Sequence, residues 1–105
     1  IRSVGWSMLV YEVTVCLQYA DEEAFRGFMT EAHIPDIVAT GCFDQVSFQR
    51  LGEKHFRTQY QALHQEDLDR YLTQHAPQFR EDFLKHFPGE TEVERQVWTI
   101  EQSWS

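Results

Sequence analysis

From Leu9 onward the apolar residues fall on every second position: Leu9, Tyr11, Val13, Val15 and Leu17 alternate with Glu12, Thr14 and Gln18. A repeat of two with β-branched members predicts a strand with one buried face. At Asp21 the period changes. Asp21 suits a helix N-cap, Glu22 and Glu23 suit the positive end of the helix dipole, and Phe25, Phe28, Met29 and Ala32 then recur at helical spacing. This predicts a helix from about residue 22 to His33. Pro35 lacks an N–H and disfavours helical geometry at Ile34, so the helix is expected to end or kink there, with one short helical turn over residues 35 to 40 and a left-handed stop at Gly41.

Alternation returns over Phe43 to Leu51, where Val46 and Phe48 oppose Ser47 and Gln49. Gly52-Glu53 supplies a turn, and Phe56, Thr58, Tyr60 and Ala62 alternate with Arg57, Gln59 and Gln61. Two such runs across a short glycine-containing link predict a β-hairpin. Glu66 and Asp67 open a second helical pattern with the stripe Leu68, Tyr71, Leu72 and His75. Ala76-Pro77 is expected to bend or restart it, Phe79, Phe83 and Phe87 continue it, and Pro88-Gly89 ends it. A last strand is expected over about Glu92 to Gln102, burying Val93, Val97, Trp98 and Ile100.

The order β-α-β-β-α-β, in two similar halves, is the split β-α-β pattern of the ferredoxin-like α+β fold: a four-stranded antiparallel sheet with two helices on one face. Its other face would carry Glu12, Thr14, Cys16, Ser47, Gln49, Arg57 and Gln59, a surface suited to water or to a semi-polar dimer interface. Residues 8 to 102 are read as one domain. Ile1 to Ser7 have no periodicity and are read as an extension or cloning remnant before a start at Met8.

Composition narrows the function classes. The chain has 105 residues, 17 acidic against 9 basic side chains and a formal net charge of -8, which disfavours nucleic acid and anionic membrane surfaces. No apolar run approaches the roughly 20 residues that cross a bilayer, and a soluble cytoplasmic protein is expected. Cys16 and Cys42 fit neither a redox nor a zinc motif and are read as reduced, small apolar side chains.

The segments Met8-Leu9-Val10-Tyr11-Glu12-Val13-Thr14-Val15, His33-Ile34-Pro35-Asp36-Ile37-Val38-Ala39-Thr40-Gly41-Cys42-Phe43, Leu68-Asp69-Arg70-Tyr71 and His75-Ala76-Pro77 resemble those of a family of small bacterial proteins of unknown function in the dimeric α/β-barrel superfamily. The resemblance spans about Met8 to Ile100. It implies a homodimer in which two sheets close into a barrel with the helices outside. Relatives in that superfamily include cofactor-free monooxygenases, haem-degrading enzymes, small isomerases and ligand-binding proteins, which hold small molecules between sheet and helices. At the level of fold this names a place to look, not a reaction.

Candidate chemistry centres on His33, the candidate catalytic residue. At a helix end its ring could cap free carbonyls; facing a cavity it could act as a general acid or base or contact a ligand. Tyr11 and Tyr60 fall on the apolar faces of adjacent strands, where their hydroxyls either find structural partners or point into a cavity beneath Phe28 and His33. Tyr11, Phe28, His33 and Tyr60 are therefore the candidate ligand-binding set. Glu31, His33 and Asp36 carry metal-ligating atoms, but the Pro35 break separates them and no second histidine supports them, so neither metal nor cofactor is expected. The favoured function is binding of a small, partly apolar molecule. A cofactor-free monooxygenase or isomerase and a structural or protein-interaction dimer are the alternatives.

Overall fold

The computed structural model describes residues 8 to 104; the expectation for residues 1 to 7 lies outside them. Strand β1, Leu9–Cys16, pairs antiparallel with β3, His55–Ala62, and with β4, Val93–Thr99, while β2, Gln45–Arg50, pairs with β3. The order β2-β3-β1-β4 is that of an antiparallel ferredoxin-like sheet. Register places Tyr11 between Tyr60 and Val97, and Val13 between Thr58 and Arg95. These odd-numbered residues of β1 and their partners face the helices. The hairpin between β2 and β3 turns through Gly52 and Lys54, both at positive φ, and closes with Leu51 N–H donating to His55 O at 2.8 Å.

Both helical arms carry the chain past a proline in the same way, each restarting as a new helical segment. The first does not stop before Pro35. Helix α1, Glu22–Phe28, passes through a π turn, Met29–His33, directly into α2, Ile34–Val38. The second runs from α3, Gln65–Arg70, through a π turn, Tyr71–His75, into α4, Ala76–His86. Each π turn closes on a donor five residues along: Ile34 N–H to Met29 O, and Ala76 N–H to Tyr71 O. A proline in an α-helix strikes the carbonyl four residues before it and lacks the N–H to bond it. One residue of widening just upstream moves that carbonyl aside and lets each proline fall in the first turn of the next segment, where no N–H is needed.

Asp21 caps α1 as expected, its Oδ2 accepting from Ala24 N–H at 3.0 Å. Two clusters fill the space between sheet and helices. One joins Tyr11, Tyr60, Phe43, Leu68 and Tyr71; the other joins Val15, Phe25, Met29, Phe56, Phe83 and Phe87. Phe25, fully buried, is ringed by Phe48, Phe56, Phe83 and Phe87 at centroid distances of 5.1–6.3 Å. Phe43 is buried against Tyr60 and Tyr71 but precedes β2 rather than opening it.

The last strand departs most from expectation. It is shorter than predicted, Val93 is only half-buried, and Val97 and Trp98 are 49% and 54% exposed. Ile100 lies beyond the strand and is half-buried. The physical reason is position: β4 is a sheet edge, and Trp98, opposite Val10, projects from the face without helices. That face carries a polar ladder across three strands. Gln49 donates to Ser47 Oγ at 2.8 Å and to Gln59 Oε1 at 2.9 Å, Arg57 donates to Gln49 Oε1 at 2.6 Å, and Gln59 donates to Glu12 Oε1 at 2.9 Å.

Candidate functional site

The helix-facing residues of β1 and β3 meet the π turns of both arms around a cavity of about 40 Å³. Tyr11, His33 and Tyr60 line it; Phe28 does not. Phe28 lies behind His33, its ring 5.2 Å from that imidazole, 4.5 Å from His86 and 5.2 Å from Phe87, so it supports the histidine from outside. Cys16 and Cys42 are free thiols, the first half-buried and the second buried.

His33 closes no helix. The chain continues helical past it, and its side chain makes no capping hydrogen bond. The π turn instead aims the ring between the arms, with Phe79 edge-on at 5.8 Å and Phe83 at 6.3 Å. Its Nδ1 is buried and has no hydrogen-bond partner among the described residues. Burial pulls the imidazole below its ordinary pKa of 6.5, against opposing pulls from Asp82 and Asp36, while His86 acts in the same direction as burial. Near neutral pH the ring is therefore uncharged, with one nitrogen able to accept a proton.

The other end of the cavity is phenolic. Tyr11 stands 5.9 Å from both Tyr60 and Tyr71, centroid to centroid. Burial raises the Tyr60 hydroxyl pKa, a hydrogen bond with the Thr58 side chain offsetting this in part and Tyr11 adding to it. Burial likewise raises that of Tyr71, with Tyr60 and Tyr11 adding and Arg80 and Arg95 opposing. Both phenols stay protonated and can donate. Arg80 Nη2 donates to Tyr11 Oη at 3.1 Å. Tyr71, Arg80 and Arg95 complete this end, and none of the three was singled out from sequence. Tyr71 was visible as part of an apolar stripe. The arginines come from different elements, so only the tertiary structure brings them together. Among the described residues no group of three or more His, Cys, Asp or Glu side chains could hold a metal, and no helix is long and apolar enough to cross a membrane.

The profile of one sequence family matches residues 8–99, nearly the whole described chain. The chain belongs to the DUF4286 family, a domain of unknown function. No curated protein matches this DUF4286 domain in sequence. Its fold is similar to that of an ethyl tert-butyl ether (EthD) family protein from Bacillus halodurans, with a TM-score of 0.66 and 16% identity over 86% of this chain and 96% of the other. It is also similar to SnoaB, a cofactor-independent oxygenase from Streptomyces nogalater solved in a mutant form, with a TM-score of 0.71 and 13% identity over 92% and 96% of the two chains. Both belong to the dimeric α/β-barrel, ferredoxin-like superfamily. A de novo designed protein, Foldit4, shares the fold at a TM-score of 0.52 and 16% identity over 91% of this chain and 99% of that one. A fold that also serves a designed chain places the DUF4286 domain by architecture, and its chemistry has to be read from its own side chains.

Proposed function

We propose that the domain is a homodimer that binds a small, partly apolar molecule in the cavity between sheet and helices. The observation that carries this reading is His33, a cavity-lining residue whose Nδ1 is buried with no protein partner among the described residues. Such an atom costs stability unless a ligand or water satisfies it. The phenolic end and the apolar walls formed by Met29, Phe56 and Phe83 give the mixture of few polar and many apolar groups that ligand sites share. Dimerisation is supported by the superfamily and by the open sheet face, where Trp98 is exposed beside the ladder from Glu12 to Gln49.

Methyl NMR tests the binding site. The chain has two methionines, and Met29 lines the cavity whereas Met8 does not. Adding 1-butanol as a small apolar probe is expected to shift the Met29 methyl resonance saturably and leave Met8 in place. An unmoved Met29 would overturn the reading.

A second reading, a cofactor-free oxygenase or isomerase, is favoured by the uncharged His33 imidazole lining the same cavity as Tyr11 and Tyr60, an arrangement suited to a general base. It predicts turnover of small aromatic substrates that is lost in His33→Ala with the fold intact. Unchanged turnover in that variant removes His33 from the mechanism.

A further inference from the structure

The phenolic end of the cavity is built to receive negative charge. Arg80, on α4, and Arg95, on β4, both line it, although they are 15 residues apart in sequence and on different layers of the fold. Register explains Arg95: its Cα partner is Val13, so it belongs to the helix-facing side of the sheet, at an edge the helices leave uncovered. Arg80 spends a single donor on the Tyr11 hydroxyl. Neither arginine has a carboxylate within ion-pair distance among the described residues, whereas Arg50, Arg57 and Arg70 are paired with Glu22, Glu12 and Asp67. In a chain with 17 acidic and 9 basic side chains, two guanidinium groups left without a carboxylate at one cavity are an imbalance that an anion would correct.

The remaining groups choose the kind of anion. The hydroxyls of Tyr60 and Tyr71 remain protonated and add donors, so this end offers hydrogen-bond donation to an acceptor-rich head. The walls beyond are Val15, Met29, Phe56 and Phe83, which suit hydrocarbon and offer nothing to a phosphate or a sugar. A cavity of about 40 Å³ favours a short body over a fused ring system. We infer that the site takes the anion of a small carboxylic acid, with its two oxygens at Arg80 and Arg95 and its hydrocarbon tail toward Met29. This rests on the reading of the cavity as a ligand site and adds the class of ligand.

The test is the Met29 methyl titration at constant ionic strength with two probes of equal length, sodium butyrate and 1-butanol, on the full chain and on Arg80→Gln/Arg95→Gln. Both arginines are exposed, and a thermal melt of the double variant checks that the fold is kept. Butyrate is expected to bind at least about tenfold more tightly than butanol, and the double variant is expected to erase that preference. Equal binding of the two probes, or a butyrate preference that survives in the double variant, would overturn the carboxylate inference and leave the cavity reading standing. If neither probe moves Met29, both fall together.

Discussion

His33 and His75 hold equivalent places in the two halves of the chain: each is the last residue of a five-residue π turn, and each stands two residues before a proline. The two imidazoles nevertheless have different surroundings. His75 stacks on Tyr71 at 6.3 Å, while His33 meets Phe28, Phe79 and Phe83 and keeps a buried Nδ1 with no partner among the described residues. The same local device thus carries a ring that packs in one half and a ring with an unmet hydrogen bond in the other.

That unmet bond makes His33→Phe informative. Replacing a buried, unpartnered polar atom with an apolar ring of similar shape is neutral or favourable. The ligand-free variant is expected to be as stable as the parent or more stable by up to about 1 kcal/mol in urea unfolding. A clear loss of stability would mean that Nδ1 is satisfied in solution by a tightly held water.

The same residue sets a pH dependence. The folded His33 pKa lies below 6.5, so between these two values the unfolded chain binds the extra proton and stability rises with pH. Stability contributed by the neutral ring is present above about pH 6.5 and is lost as the pH falls toward the folded pKa. Histidine NMR titration should place His33 below 6.5, and the corresponding slope should vanish in His33→Phe. A His33 titration at or above 6.5 would contradict the burial of its ring.

Glu90 holds the loop before α1 against the loop after α4. It is 1% exposed, with Oε1 accepting from Gln18 N–H at 2.6 Å and Oε2 from Tyr19 N–H at 2.7 Å and Ala20 N–H at 2.5 Å. Burial works to raise its pKa, but the three backbone donors and Lys54 outweigh this and hold it below the ordinary 4.5. Glu90→Gln puts an amide NH₂ against backbone N–H groups and is expected to cost about 2–3 kcal/mol in chemical denaturation. Because the folded pKa is depressed, the carboxylate's contribution is present above pH 4.5 and disappears as the pH falls through the folded value. The parent should lose that stability in acid, and Glu90→Gln should show a flatter acid limb.

Much of this molecule was legible from its alternations. The strands β1, β2 and β3, the hairpin, the Asp21 cap and the polar composition of the open face follow directly from period-two and helical patterning. The proline rule left two outcomes open at Pro35, an end or a kink, because it forbids only an α-helical interior position, and a π turn carries the chain through the same residues. Trp98 misled because hydrophobicity identifies a residue that resists water but not whether its own subunit or another surface covers it. Arg80, Arg95 and Glu90 were invisible for a common reason: each acts across the fold on residues distant in sequence, and no periodicity marks such a pair.

The ring of phenylalanines around Phe25 predicts where stability concentrates. Phe25→Ala removes a fully buried ring with aromatic neighbours on several sides and is expected to cost about 3–5 kcal/mol. Leu51→Ala, at an exposed turn, should change stability by less than about 0.5 kcal/mol. Urea unfolding of the two variants checks the contrast.

For the dimer, Trp98→Glu places a charge on the open sheet face without touching the core. Light scattering after size exclusion is expected to report a folded monomer for this variant and a dimer for the parent.

Native mass spectrometry of protein purified under gentle conditions reaches the cavity and the assembly at once. The expected species has about twice the 12.5 kDa subunit mass and carries a small noncovalent adduct that collisional activation removes. A bare monomer at micromolar concentration, with no adduct before or after activation, would contradict a ligand-binding dimer.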